Sequence, residues 1–174
     1  FPELLRSVLR QGPDVIMIGE IRDPVTAETS VRAANSGHLV LATLHAPTAA
    51  AAIDSMRALG IHPHFLASSI LGILTQRLVR TLCASCRVAH DISDSPYTFD
   101  EVRPWLEPGQ GNQIFSATGC QQCRGEGYTG RSGVFEVLRV GKDIRQLIAQ
   151  DRPSREIRDK AIEHGMHDLR RSAL

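Results

Sequence analysis

Four cysteines arranged as two Cys-x-x-Cys pairs, Cys83/Cys86 and Cys120/Cys123, constrain this chain more than any other feature, and it contains no further cysteines. Each pair places two thiolates on one tight turn, and two such turns complete a closed, tetrahedral four-thiolate site of the structural kind. The pairs are separated by 33 residues, Arg87 to Gly119, which exceeds the usual finger interval, so a longer loop must leave the site and return to it. Around the second pair, Gly119, Gly125 and Gly127 suit a knuckle in which thiolates accept backbone N–H bonds. Structural Zn2+ is the expected occupant. Unmetallated buried thiols and redox chemistry are the alternatives. His90 is a spare potential ligand that reads more simply as a surface histidine.

At 174 residues the chain can bury one core, or a core and a small satellite, but not two full-sized domains. Twenty Lys and Arg face nineteen Asp and Glu, a net charge of +1 that offers no global field for nucleic acid or an anionic membrane. With only eight aromatics as well, a nucleic-acid partner is not expected. No stretch has the pattern of a signal peptide or the length of a membrane span. The chain reads as soluble and intracellular, where disulfides are disfavoured and paired cysteines point to metal.

Leu4, Leu5, Val8 and Leu9 fall at helical spacing over Glu3 to Arg10, with Arg6 and Arg10 on the other face, and Gln11-Gly12-Pro13 ends that helix. Val15 to Ile18 is a continuous apolar run of the kind found in a strand covered on both faces of a parallel sheet. Asp23 is a plausible N-cap and Pro24 a first-turn residue for a helix reaching about Ser36, with Gly37 as its C-cap. His38 to Leu44 reads as a second buried strand, which makes the order helix, strand, helix, strand and the arrangement a parallel βαβ unit. An Ala-rich helix, Ala49 to Leu59, stops at Gly60. A longer helix from about Pro63 to Arg80 would carry Leu66, Ile70, Ile73, Leu74 and Leu78. From Cys83 to Arg131 no periodicity is sustained, and the apolar content is too low for that excursion to fold unaided. Gly133 to Val140 alternates as a strand. Two short amphipathic helices follow, marked by Ile144, Leu147 and Ile148, and then by Ile157, Ala161 and Ile162.

The chemistry concentrates where the first strand ends. Open α/β sheets bind ligands outside the carboxyl ends of their strands, and an acidic residue just past a buried apolar strand is placed to hold a metal-bound phosphate or an attacking water. Glu20 has that position, with Arg22 and Asp23 beside it; a charged loop leading into a helix is the plainer reading of the same four residues. The second strand strengthens the case, because its carboxyl end carries His45, which should lie beside Glu20. An imidazole there can sense or polarise a γ-phosphate. His38, at the other end of that strand, reads as structural.

These stretches match a family in order along nearly the whole chain. Arg6 to Asp23 resembles the Walker B region of the type II secretion and type IV pilus assembly ATPases, and Gly37 to His45 resembles their His box. Gln76 to Cys86 resembles the start of their tetracysteine element, and Gly119 to Cys123 with Gly127 to Glu136 its end. The resemblance implies an α/β fold: the later half of a RecA-like parallel-sheet ATPase domain, with a tetracysteine zinc element and a small helical C-terminal part. It divides the chain into a partial ATPase core (1–80), a metal-binding element (81–131) and a strand with C-terminal helices (132–174). It further implies a hexamer that binds ATP and Mg2+ and drives machinery at the cytoplasmic side of the inner membrane, with platform proteins there as partners. Carried over residue by residue, Glu20 is the glutamate that orients or deprotonates the attacking water, and His45 stands near the γ-phosphate. Arg22 and Asp23 belong to the nucleotide-binding motif, and Cys83, Cys86, Cys120 and Cys123 are the zinc ligands.

Parts of the family pattern are missing, among them the segments expected before Walker B: no Gly-x-x-x-x-Gly-Lys-Ser/Thr occurs in the chain, so the loop and lysine that cradle the β- and γ-phosphates are absent. The expectation is a fragment covering the later half of an ATPase, inactive by itself. The alternative is a non-catalytic, zinc-stabilised interaction module that docks on a secretion or pilus ATPase or on its membrane platform.

Overall fold

The structure, a computed structural model, describes residues 2–94 and 103–174. The expected orientation of Leu5 and Arg6 lies outside the described side chains, and residues 95–102 of the metal-binding segment lie outside the described residues. The chain divides into two compact units, one formed by residues 1–75 with 136–166, the other by 76–135 with 167–174.

The first unit opens with helix α1 (Pro2–Leu9), strand β1 (Val15–Ile18), helix α2 (Pro24–Asn35) and strand β2 (Leu39–Ala42). β1 and β2 pair in parallel, Val15 opposite Leu39 and Ile18 opposite Ala42. Helix α2 begins where the sequence signals it: Asp23 is extended and its carboxylate accepts the Thr26 N–H, with Pro24 next in the first turn. Beyond α2, Gly37 takes a positive φ of 98°, a conformation that costs glycine little and other residues more. Helices α3 (Ala49–Ala58) and α4 (Pro63–Ser69) follow, and α5 (Lys142–Ala149) and α6 (Ser154–Glu163) complete the unit. Its core includes Ile18, Ile53, Leu66, Leu138, Ile144, Ile148 and Ile157, all fully buried. Burying each such side chain stabilises the fold by roughly 1.5–3 kcal/mol.

Two readings of this region need correction. β1 is not covered on both faces: Ile16 and Ile18 are buried, but Val15 and Met17 are 53% and 76% exposed. Leu39 and Leu41 of β2 are exposed as well. The described sheet has only these two strands, and among the described residues Val15, Met17, Leu39 and Leu41 are left largely uncovered. In α1, Leu4 and Val8 are exposed, while Leu9 packs against the core.

The helix expected from Pro63 to Arg80 stops at Ser69, where Ile70 turns extended at φ −78° and ψ 126°. Strand β3 (Gly72–Leu82) takes over and pairs with β6 (Tyr128–Arg139). Leu74 and Leu78 are four apart, a spacing that fits one helical face and equally one side of a strand. Ile73, Thr75, Val79 and Thr81, β-branched at alternating or near-alternating positions, favour the pleated form.

The excursion after Cys83, expected to be irregular, contains an antiparallel pair, β4 (Arg87–Asp91) with β5 (Gln113–Ala117). Among the described residues of the second unit, the buried apolar side chains are only Cys83, Cys123 and Val134. Such a core is too small to order the unit by hydrophobic burial alone.

Candidate active site and metal centre

Glu20 sits two residues past the end of β1, and His45 three past the end of β2. Parallel pairing brings both to the same end of the sheet, with His45 Nε2 3.1 Å from Glu20 Oε1. The imidazole is nearly free of other cover, 90% exposed at its side chain, whereas the Glu20 side chain is 22% exposed. Oε1 itself is buried and has no hydrogen bond; His45 lies within ion-pair distance of it without the alignment of a hydrogen bond. The other oxygen, Oε2, is 2.5 Å from Arg22 Nη2. Hydrogen bonding to Arg22 holds the Glu20 carboxyl below its ordinary range; partial burial opposes this, and the Arg22 and His45 charges add to it. Glu20 therefore presents an ionised carboxylate with one anchored oxygen and one oxygen whose acceptor capacity is unused.

Asp23 is differently engaged. Thr26 donates to both of its carboxylate oxygens, from its backbone N–H at 2.9 Å and its hydroxyl at 2.6 Å. His38 lies at the other end of β2, its Nδ1 3.0 Å from the Ala33 carbonyl, a structural contact as expected.

Two residues of this region had no role in the sequence reading. Thr43 donates its hydroxyl to the Gly19 carbonyl at 2.5 Å, and its own carbonyl accepts the Ile21 N–H at 2.9 Å. Glu136, on β6, is 1% exposed, and its Oε1 accepts the N–H of Ala49 at the start of α3, at 2.7 Å. Its signal was present: Val134, Glu136 and Leu138 share one side of the strand, and a carboxylate between two apolar residues on an inward face needs a partner.

The four cysteines converge. Their Sγ atoms all lie within 4.8 Å of one another, with Cys83 to Cys120 at 3.9 Å, Cys86 to Cys123 at 3.8 Å and Cys120 to Cys123 at 3.7 Å. These separations are far beyond the ~2.05 Å of a disulfide. They match the ~3.8 Å edge of a tetrahedron whose centre is ~2.3 Å from each sulfur, the Zn–S distance. Backbone N–H groups of Cys120 and Gly127 donate to Cys123 Sγ at 3.2 and 3.1 Å and help lower that thiol to about 6, the Cys120 amide being the largest cause. Burial is the main cause that pushes Cys86 up to about 11. The donor set fits a d10 divalent ion, which would hold all four sulfurs as thiolates. Gly119 admits no side chain, since a Cβ would lie 2.5 Å from the Gly125 carbonyl oxygen. His90 is outside the cluster; its Nε2 meets Ser116 Oγ at 2.6 Å. A cleft of about 310 Å³, lined by Val137, Arg139, Ile144, Ala161, His164 and Met166 among others, contains none of the expected site residues.

The α/β fold is similar to that of the solved Legionella pneumophila ATPase DotB, which aligns over 99% of this chain and 37% of its own, with a TM-score of 0.63 at 19% identity. The chain belongs to the type II/IV secretion system protein family, whose model matches residues 1–174. Among its relatives, the type II secretion system protein HxcR of Pseudomonas aeruginosa is 42% identical over 98% of this chain and 32% of its own length. The type IV pilus assembly ATPase PilB of Thermus thermophilus is 40% identical over 100% of this chain and 19% of its own length. The chain thus spans between about a fifth and a third of these relatives.

Among the described residues, no helix is long and apolar enough to cross a membrane.

Proposed function

We propose that this chain is the later part of a RecA-like, hexameric motor ATPase that drives type II protein secretion or type IV pilus assembly from the cytoplasmic side of the inner membrane. The observation that carries the reading is the Glu20–His45 pair at 3.1 Å, with Glu20 Oε1 buried and free of hydrogen bonds. Relatives named as secretion proteins and pilus assembly ATPases support it.

In this reading residues 1–80 form a partial ATPase core, 81–131 the metal-binding element and 132–174 a strand with C-terminal helices. ATP would supply the γ-phosphoryl group and Mg2+ the neutralising charge, as in phosphoryl transfer generally. Glu20 takes the proton of the attacking water, while Arg22 holds Oε2 and keeps the carboxylate ionised. His45, exposed beside it, would be available to donate to the terminal phosphate. Arg22 and Asp23 belong to the nucleotide-binding motif in this reading, with Asp23 capping the start of α2. Cys83, Cys86, Cys120 and Cys123 hold a structural zinc that orders the second unit and takes no part in hydrolysis.

The test is nucleotide binding and turnover in the full-length motor that carries this segment. Glu20→Gln should bind ATP as wild type does and lose turnover, because an amide can hydrogen-bond a water but cannot accept its proton. Wild-type turnover in that variant would reject the reading and leave the zinc-stabilised docking module in its place.

A further inference from the structure

We infer that Thr43 is a positioning residue that sets Glu20 against His45. This rests on the role proposed for Glu20.

The parallel ladder of β1 and β2 ends at Ile18 opposite Ala42, two residues short of Glu20. Past that point the backbone around Glu20 is held from β2 by one residue. Thr43 grips it on both sides: its hydroxyl donates to the carbonyl of Gly19, and its carbonyl accepts the N–H of Ile21. Both peptide groups flanking the Glu20 Cα are thus tied to Thr43. Gly19 precedes Glu20 with no side chain of its own and with nothing near its Cβ position, so between the buried Ile18 and Ile21 no packing of its own holds the Gly19 peptide. His45 lies only two residues beyond Thr43. The same residue therefore fixes where Glu20 leaves β1 and where the chain toward His45 leaves β2, and the 3.1 Å separation of their reactive atoms follows from that double hold.

The hydroxyl is the specific part. A carbonyl acceptor is present at any residue, but only Thr or Ser can supply the second bond from this position. Catalytic groups lose much of their effect when displaced by about 1 Å, so an ordinary surface hydrogen bond acquires a kinetic consequence here.

The experiment compares Thr43→Val, which keeps the shape and removes the hydroxyl, with Thr43→Ser, which keeps the hydroxyl, in the full-length motor, with Glu20→Gln as reference. In Thr43→Val, kcat should fall roughly ten- to a hundredfold while the KM for ATP stays within about twofold, and Thr43→Ser should restore kcat. In the 174-residue chain, amide exchange at Ile21 should accelerate in the Val variant and not in the Ser variant, a readout independent of ATP. Wild-type kcat in Thr43→Val, beside an inactive Glu20→Gln, would overturn the inference while leaving the role of Glu20 standing. An active Glu20→Gln would overturn both. Should Thr43→Val fail to fold, Thr43→Ala takes its place as the variant without the hydroxyl: a loss of kcat that Thr43→Ser does not share supports the inference, and wild-type kcat in a natively folded Ala variant overturns it.

Discussion

The carboxylate of Glu136 accepts a hydrogen bond from the backbone N–H of Ala49, 2.7 Å away and 87 residues distant in sequence. It meets the first turn of α3, where amide donors lack intrahelical partners and the helix dipole favours a negative charge. Thr48 caps the same turn through Ala51, so two side chains from distant parts of the sequence fix the helix that begins just after His45. Glu136→Ala would leave a buried donor unsatisfied. A loss of about 1–3 kcal/mol is expected in urea unfolding of the chain, with a clearly smaller loss for Glu136→Gln, which keeps an acceptor.

The metal centre should govern the second unit alone. Elemental analysis should find close to one zinc per chain. Cys120→Ser or a strong chelator should remove it and collapse the dispersed amide resonances of β4 and β5, since small domains of this kind fold with their metal. Resonances of α3, α5 and α6 should persist, because their core of Ile53, Ile144, Ile148 and Ile157 is apolar and buried. Metal-free protein with an unchanged spectrum would contradict this.

For Glu20, loss of turnover in the Gln variant of the full-length motor should reach about 10²–10⁴-fold, the usual contribution of a positioned general base. The 174-residue chain alone should hydrolyse no ATP, since it contains no phosphate-cradling loop or lysine. Glu20-dependent turnover by the pure chain would refute that.

Acid should weaken the start of α2. Hydrogen bonds from the Thr26 hydroxyl and then its N–H hold the Asp23 carboxyl below its ordinary value of 3.8. A group depressed in the folded state stabilises fully above its unfolded value, and that contribution disappears as pH falls through the lower folded value. The melting temperature should therefore be flat with respect to this group at neutral pH and should decline below about pH 4. Asp23→Asn should lower the neutral-pH melting temperature and reduce the acid slope.

Much of the first unit was legible in the sequence because its signals are local. Asp23-Pro24 begins α2, and Gly37 and Gly60 follow α2 and α3, each through the conformational preference of a single residue. The adjacency of Glu20 and His45 was legible too, since parallel pairing carries two strand ends to one place. The misread segments depend on distant partners. Leu74 and Leu78 fit either a helix or a strand until β6 is seen beside them. The antiparallel pairing of Arg87–Asp91 with Gln113–Ala117 cannot be heard in either segment alone. Exposure of Met17 and Leu41 reflects which layers are present, a property that no window of residues encodes. Glu136 was visible only as an anomaly, a charge on an apolar face, until Ala49 explained it.

The thiolate cluster stands at the foot of the β4–β5 arm, one pair just before the outgoing strand and the other just after the returning one. With the loop closed at its root, extending it costs only about 0.6 kcal/mol per doubling. Insertions or deletions between the two strands should therefore cost the second unit little stability so long as both Cys-x-x-Cys turns are kept.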